Sequence, residues 1–347
     1  MPHTIMTKDG TAFAFHEYAL PPLGPREIRI QVTFAAPKHG TEAHLIRGSA
    51  HDLKRWDPDL RMFLPRPLDA PAPPPIERAI GNIVVGTVGA IGAAVTRFSV
   101  GERVFGYGPI SEVCQVAEDR CYSAAGLSDA DAVCVDPAHV ALVAVRDGNV
   151  RVGDTVAVYG LGAIGLCAVQ IARIGGARTV CAVDPIALRR TYAAAHGADV
   201  VVDPLTVDAA LQIKLATGRK GVDVAIETSG SDRALHDSIR CLRPCGTVVH
   251  VAWGPTSAAQ LHLDEEFHIN RPLIVGSQAW AGWENPDRSY PRWDHARAYA
   301  AAIELFRAGL LSGAGMVEPI VPFADAPAAL RAIMASPETT IKVGVRF

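Results

Sequence analysis

This sequence of 347 residues has few of the features that mark membrane, secreted or nucleic-acid-binding proteins. No apolar run approaches the ~20 residues needed to span a bilayer, so no membrane partner is expected. The opening residues, MPHTIMTKDG, contain no basic stretch followed by an apolar core, so no secretory signal is expected. Charge of neither sign is in excess: 33 Lys and Arg against 36 Asp and Glu leave a net charge of -3, which gives no electrostatic footprint for nucleic acid. There is no CxxC pair among the seven cysteines, Cys114, Cys121, Cys134, Cys167, Cys181, Cys241 and Cys245. Their number is odd and most sit in apolar runs, which points to buried reduced thiols and to the cytoplasm as the expected compartment. Internal repeats and low-complexity tracts are also missing. What remains, 49% hydrophobic and 20% charged residues, is the composition of a soluble globular chain long enough for two domains.

The strongest positive signal runs from Thr155 to Asp184. An apolar run, Val156 to Tyr159, leads into Gly160-Leu161-Gly162-Ala163-Ile164-Gly165. A helical pattern follows, then a second apolar run, Val180 to Val183, that ends in Asp184. Strand, glycine turn, helix, strand and acid is the context in which a dinucleotide fingerprint carries meaning. Gly160 permits a tight turn, Gly162 lets backbone approach a pyrophosphate, and Gly165 allows close helix–strand packing. The helix N-terminus at Ala163 and Ile164 offers N–H groups to that pyrophosphate. Asp184, 19 residues beyond Gly165, can accept from the adenosine ribose hydroxyls and would repel a 2′-phosphate, so NAD is the expected cofactor. Arg189, five residues on, is a candidate for stacking on adenine or binding ribose, or is an ordinary exposed helix arginine.

Residues 27–36 alternate apolar and polar for half their length, as a half-buried antiparallel strand does. Residues 80–105 are rich in Val, Ile and Gly without helical period, so the first third reads as mostly β. From about 137 strands alternate with helices, expected near 163–174, 187–197, 207–217 and 232–242, which makes a doubly wound parallel sheet of α/β class. Further helices are expected near 294–309 and 326–335, before a closing strand IKVGVRF. The segment Ser49 to Arg78 holds seven prolines and reads as a long extended loop. Both chain ends should then form one domain, 1–136 with 281–347, around a Rossmann domain, 137–280. The site is expected in the cleft between them at the carboxyl ends of the parallel strands. Thr228 and Gly230, in the turn after VDVAIE, are placed under the nicotinamide half of the cofactor. Ala252 and Ser277, at the ends of the next two strand candidates, join the cofactor set. Glu227 can reach cofactor or helix ends, or is a strand-end carboxylate in solvent.

With the fingerprint, five further stretches resemble the medium-chain dehydrogenase/reductase family of alcohol, sorbitol and threonine dehydrogenases. They are His39-Gly40-Thr41-Glu42-Ala43-His44, Gly81-Asn82-Ile83, Val100-Gly101-Glu102-Arg103-Val104, Asp136-Pro137 and Leu242-Arg243-Pro244-Cys245-Gly246. The family writes these as C-G-T-D-x-H, G-H-E, x-G-D-R-V, E-P and L-x-P-G-G. The resemblance covers nearly the whole chain and implies a β-rich GroES-like catalytic domain beside the Rossmann domain. It also implies a homodimer or homotetramer joined through edge strands.

The departures bear on the chemistry. Zinc members hold their catalytic metal with the cysteine of the first motif and the histidine of G-H-E. Here His39 and Asn82 stand in those places, Ile83 replaces the glutamate, and Asp136 keeps a carboxylate where some members supply a third ligand. Zinc prefers thiolate and imidazole, and an asparagine carbonyl is a weak donor. The lobe that carries the structural zinc is missing too: only six residues separate Phe105 from Glu112. No metal is therefore expected, with a residual site through His39, His44 and Asp136 as the alternative. Without zinc a side chain must take the hydroxyl proton. By family register His39 faces the reacting oxygen, Thr41 sits at the relay hydroxyl and His44 passes the proton to solvent. Lys38 is the rival base, since a lysine in a dry cleft can titrate near neutrality. Asp136 is either catalytic or the cap of the helix that follows.

On the substrate side Trp56, Asn82, Trp280 and Trp283 are the candidate contacts, because tryptophan covers the face of a sugar ring as readily as an aromatic one. Trp293 is expected to open the next helix. Trp56, Arg61, Met62 and Phe63 are candidates for a lid. Arg61, Arg66 and Arg288 could bind a carboxylate or phosphate. The sequence thus points to a zinc-independent NAD-dependent dehydrogenase of a secondary alcohol, with a sugar, polyol or cyclitol first by resemblance. A quinone or enone reductase and a non-catalytic NADH-binding relative are the alternatives.

Overall fold

The computed structural model describes residues 1–8, 12–38, 40, 42, 54–66, 77–253 and 259–347, less the side chain of Pro337. His39, Thr41 and His44 lie outside the described residues. Contacts divide the chain into two units, Met1–Val133 with Val317–Phe347, and Cys134–Met316.

The first unit is mostly β. Its central strand, Glu27–Ala36, buries Ile28, Ile30, Val32 and Phe34 in strict alternation, as the pattern requires. It pairs antiparallel with Ile83–Ile91 and Val113–Ala117. The C-terminal strand Lys342–Arg346 joins the same sheet through Val345 opposite Ala35, so both chain ends build this unit. The helix Ala326–Ala335 closes its core with Leu330 and Ile333 against Ile5, Phe13 and Ile30.

The segment read as a long loop contains regular structure. Lys54–Asp57 and Met62–Pro65 form an antiparallel pair, with Trp56 opposite Phe63. Asp57 Oδ1 accepts from the N–H groups of Asp59 and Leu60, and Arg61 takes φ 50° to complete the turn. Pro58 falls in the turn and Pro65 ends the second strand, opposite Lys54, so neither interrupts the pairing.

The second unit carries a six-stranded parallel sheet in the order Val200–Val202, Thr179–Val183, Thr155–Tyr159, Val222–Glu227, Leu242–His250, Leu273–Gly276. The strand before the glycine turn is buried along its whole length, because helices cover both faces of such a sheet. Helices fall where the period placed them: Ala163–Ile174, Ala187–Ala195, Ala209–Ala216, Asp232–Arg240, His295–Arg307 and Ala326–Ala335.

Three expectations need correction. A helix over Asp129–Asp147 was not foreseen; Val133, Cys134, Val135, Ala138 and Ala141 are all buried, so its apolar pattern shows no clean stripe. Asp136 and Pro137 lie inside it, so Asp136 caps nothing. Residues 281–316 cluster with the Rossmann-type unit, and the return falls at 316/317. Tyr299, Ala302 and Phe306 are buried, the Tyr299 ring lies 5.3 Å from that of His139, and Tyr192 Oη donates to the carbonyl of Ser312 at 2.9 Å. Trp293 does not open the helix: Asp294 is its cap, accepting from Arg297 N–H, and the guanidinium groups of Arg146 and Arg297 both lie over the Trp293 ring.

Six of the seven cysteines are buried and Cys245 is exposed. Burial pushes the thiols of Cys121, Cys181 and Cys241 up to about 12 and that of Cys114 up to about 11. Ellman's reagent should therefore modify one thiol per native chain and all seven after denaturation. Two or more fast-reacting thiols in the native protein would contradict this packing.

Candidate active site

The glycine turn stands where the parallel strands end. Gly160 takes φ +84°, and a Cβ there would meet Ser229 backbone at 2.7 Å. A Cβ on Gly165 would lie 1.9 Å from the Gly160 carbonyl, so the helix can approach the turn only with glycine at that position. Around Gly162 the space is open: an added Cβ meets nothing within 4 Å. Gly162 is also the N-cap of the helix Ala163–Ile174, which has no side-chain cap and no acid in its first turn. Its first N–H groups and positive dipole end are thus left for an anion, and a pyrophosphate fits this cradle.

Two chain segments, Val183-Asp184 and Thr228, grip the turn. Asp184, 3% exposed, accepts from Leu161 N–H at 2.7 Å through Oδ2 and from Ile186 N–H at 2.8 Å through Oδ1. Thr228 Oγ1 donates to the Gly160 carbonyl at 2.7 Å. Gly160 N–H donates to the Val183 carbonyl. Asp184 was singled out as a ribose acceptor; the structure adds that it organises the turn, and each oxygen keeps a lone pair for a hydroxyl. Arg189 Nη1 lies 3.7 Å from Asp184 Oδ2. Thr228 was placed under the nicotinamide, yet its hydroxyl is turned to the glycine turn.

Glu227 is fully buried, which removes the reading of a carboxylate in solvent. Its Oε1 accepts from the N–H groups of Ser229 and Gly230 and from Ser229 Oγ, and its Oε2 lies 2.9 Å from His250 Nδ1. Gly230 follows with φ +74°. Ala252 is half-buried just beyond Leu242–His250, and Ser277 is buried, its N–H donating to the His250 carbonyl. His250 was not singled out; a histidine ending an apolar strand beside an acid-ended strand was the available signal.

Trp280 is 64% exposed and meets Trp283 edge to face at 5.6 Å. Trp280, Trp283 and Asp136 belong to the second unit, while Trp56, Lys38 and Asn82 belong to the first. Trp56 packs its ring 5.1 Å from that of Phe63.

In the first unit the described part of the first motif is held by a residue that sequence reasoning passed over. Glu42 Oε1 accepts from Gly81 N–H at 2.7 Å and Oε2 from Lys38 N–H at 3.1 Å, so one carboxylate ties the first motif to Gly81-Asn82. Asn82 is fixed through its backbone, its N–H to Ala36 and its carbonyl to Gly108 N–H. Ile83, next in line, is a fully buried hydrocarbon. Beneath lies Lys342, 2% exposed, whose Nζ donates to the Pro37 carbonyl at 2.6 Å. A lone lysine in the apolar strand IKVGVRF was the signal for it.

Desolvation pushes the Glu42 carboxyl up to about 7, against the pull of the two N–H groups and of Lys342. A carboxyl raised above its unfolded value binds a proton on folding, so stability falls as pH rises from about 4.5 through 7, by up to about 1.4 kcal/mol per unit. Urea unfolding from pH 5 to pH 8 should show wild type losing stability relative to Glu42→Gln. A difference that does not change with pH would mean that Glu42 is ionised throughout.

Comparison with known proteins now adds to this geometry. The profile of the zinc-binding dehydrogenases matches residues 163–285. D-guloside 3-dehydrogenase of Escherichia coli K12 is 41% identical over 328 residues, covering 92% of this chain and 93% of the relative. Sorbitol dehydrogenase of Bacillus subtilis 168 is 26% identical over 67% of this chain and 70% of its own. The crystal structure of 2R,3R-butanediol dehydrogenase from Bacillus subtilis superimposes over the full length of both chains with a TM-score of 0.78 at 22% identity.

Proposed function

The chain belongs to the medium-chain, zinc-binding-type dehydrogenase family of alcohol and polyol oxidoreductases, and from that premise we propose that it oxidises a secondary hydroxyl of a sugar with NAD and without zinc. The observation that carries the cofactor assignment is Asp184, a buried carboxylate bound to the glycine turn beside an uncapped helix N-terminus. Its charge opposes a 2′-phosphate, while its lone pairs suit ribose hydroxyls. The nicotinamide, when bound, supplies the hydride acceptor. Likeness to D-guloside 3-dehydrogenase supports a glycoside as the substrate class, with oxidation at a ring hydroxyl.

The described donors do not fit a catalytic zinc: Asn82 offers an amide, and Ile83 offers no donor at all. On this reading the proton leaves through side chains. His39 takes it from the substrate hydroxyl, and Thr41 and His44 pass it to solvent. An imidazole suits this role because it titrates near neutrality. Glu42 holds the backbone N–H of Lys38, the residue before His39 in sequence. Lys38 and Asp136 are the other candidates for the base.

The chain is further read as a homodimer or homotetramer that joins through the sheet edge Leu273–Gly276, where Leu273 is 63% and Ile274 42% exposed. The cytoplasm is the compartment this reading favours. No described helix is long and apolar enough to cross a membrane.

NADH absorbance with a panel of glycosides, free sugars and polyols tests the reading. Glycosides with NAD should give at least tenfold higher kcat/KM than polyols, or than the same glycosides with NADP. Preference for NADP would remove the role given to Asp184. His39→Ala should lower kcat by ~10²-fold or more. A loss under tenfold would move the base to Lys38 or Asp136. Chelation should leave the rate unchanged; loss of activity on zinc removal, restored by zinc, would overturn the zinc-free reading.

A further inference from the structure

In the second unit, beside the helix Asp232–Arg240, three side chains with metal-ligating atoms converge. His236 from that helix, Glu265, and Glu266 at the start of the short helix Glu266–Asn270 each bring one donor atom, and these atoms all lie within 4.8 Å of one another. His236 Nδ1 and Glu266 Oε2 are shielded from solvent, and neither has a hydrogen-bond partner. A shielded carboxylate oxygen and a shielded ring nitrogen without partners are expensive unless something bonds them. The obvious neighbouring cation is already shared. Arg240 reaches Asp208 at 2.7 Å and Asp237 at 2.9 Å, and touches Glu266 Oε1 only at 3.7 Å. Glu265 has no ion pair among the described residues. The spot therefore holds more negative charge than its cation neutralises, with an imidazole in the middle.

We propose that His236, Glu265 and Glu266 form a divalent transition-metal site, zinc being the fitting ion. One imidazole and two carboxylates suit zinc or its first-row neighbours; calcium and magnesium take oxygen donors throughout. Bonds of about 2.0–2.2 Å need the donors slightly closer than they stand, a shift within reach of two glutamate side chains. Water completes the coordination. The ion would clamp the helix Asp232–Arg240 to residues 265–266, which lead through Arg271, at φ 50°, into the edge strand Leu273–Gly276. Its role is structural, since none of the donors belongs to the glycine turn or to the residues that bond it.

The test uses the full chain, stripped with a chelator and dialysed against zinc alone. Wild type should take up one zinc per chain and melt at a higher temperature with zinc than without. His236→Ala, and separately Glu265→Gln with Glu266→Gln, should bind it at least tenfold more weakly and lose the thermal shift. The double glutamine variant keeps the test available if the histidine variant does not fold. Failure of wild type to take up zinc would overturn the clamp and leave the zinc-free mechanism untouched. Variants that bind zinc as well as wild type would also overturn the clamp, and would place the ion elsewhere and count against that mechanism.

Discussion

The backbone of the glycine turn is held in place before any cofactor arrives, and the second unit is organised around that fact. Leu161 N–H is bonded by Asp184, the Gly160 carbonyl by Thr228, and Gly160 N–H by Val183. The ends of the two neighbouring strands thus converge on two residues. Because the strand beneath is buried along its whole length, the turn rests on a rigid floor. A binding loop fixed in this way loses little conformational entropy when its ligand docks. Asp184 has a double task, since the side chain that would read the ribose also orders the N–H groups beside the pyrophosphate. Replacing it would be felt at both ends of the adenosine diphosphate.

The first unit solves a different problem. The chain at Lys38 must be tied to Gly81-Asn82. Glu42 does this by accepting from two backbone segments at once, and Lys342 does it from below through the Pro37 carbonyl. Both groups are charged in water and enclosed here, so each raises the other's worth while remaining expensive to bury. The geometry here is imposed by hydrogen bonds to main chain.

Periodicity revealed the second unit far better than the first. The run TVAVY, the glycines and Asp184 are local signals, and the helix Ala163–Ile174 begins and ends where its pattern does. The helix Asp129–Asp147 escaped because burial on nearly all sides erases the amphipathic stripe, and Pro137 within it reads as a break. The pair Lys54–Asp57 and Met62–Pro65 escaped because flanking prolines outweighed two short β-rich runs. Glu42 and Lys342 are 300 residues apart in sequence, so no local pattern could join them. The place of residues 281–316 was equally non-local, being decided by Tyr299 and Trp293 against a helix far upstream.

Cys245 occupies the position where the family writes glycine, and it adopts φ 57°, a conformation that glycine accepts freely and other residues do not. It is also the one exposed thiol among the seven cysteines. Thiol oxidation in this protein should therefore begin at one irregular point of the strand Leu242–His250. Intramolecular disulfide scrambling has no exposed partner to start from, so the products open to it are a capped thiol or two chains cross-linked sulfur to sulfur.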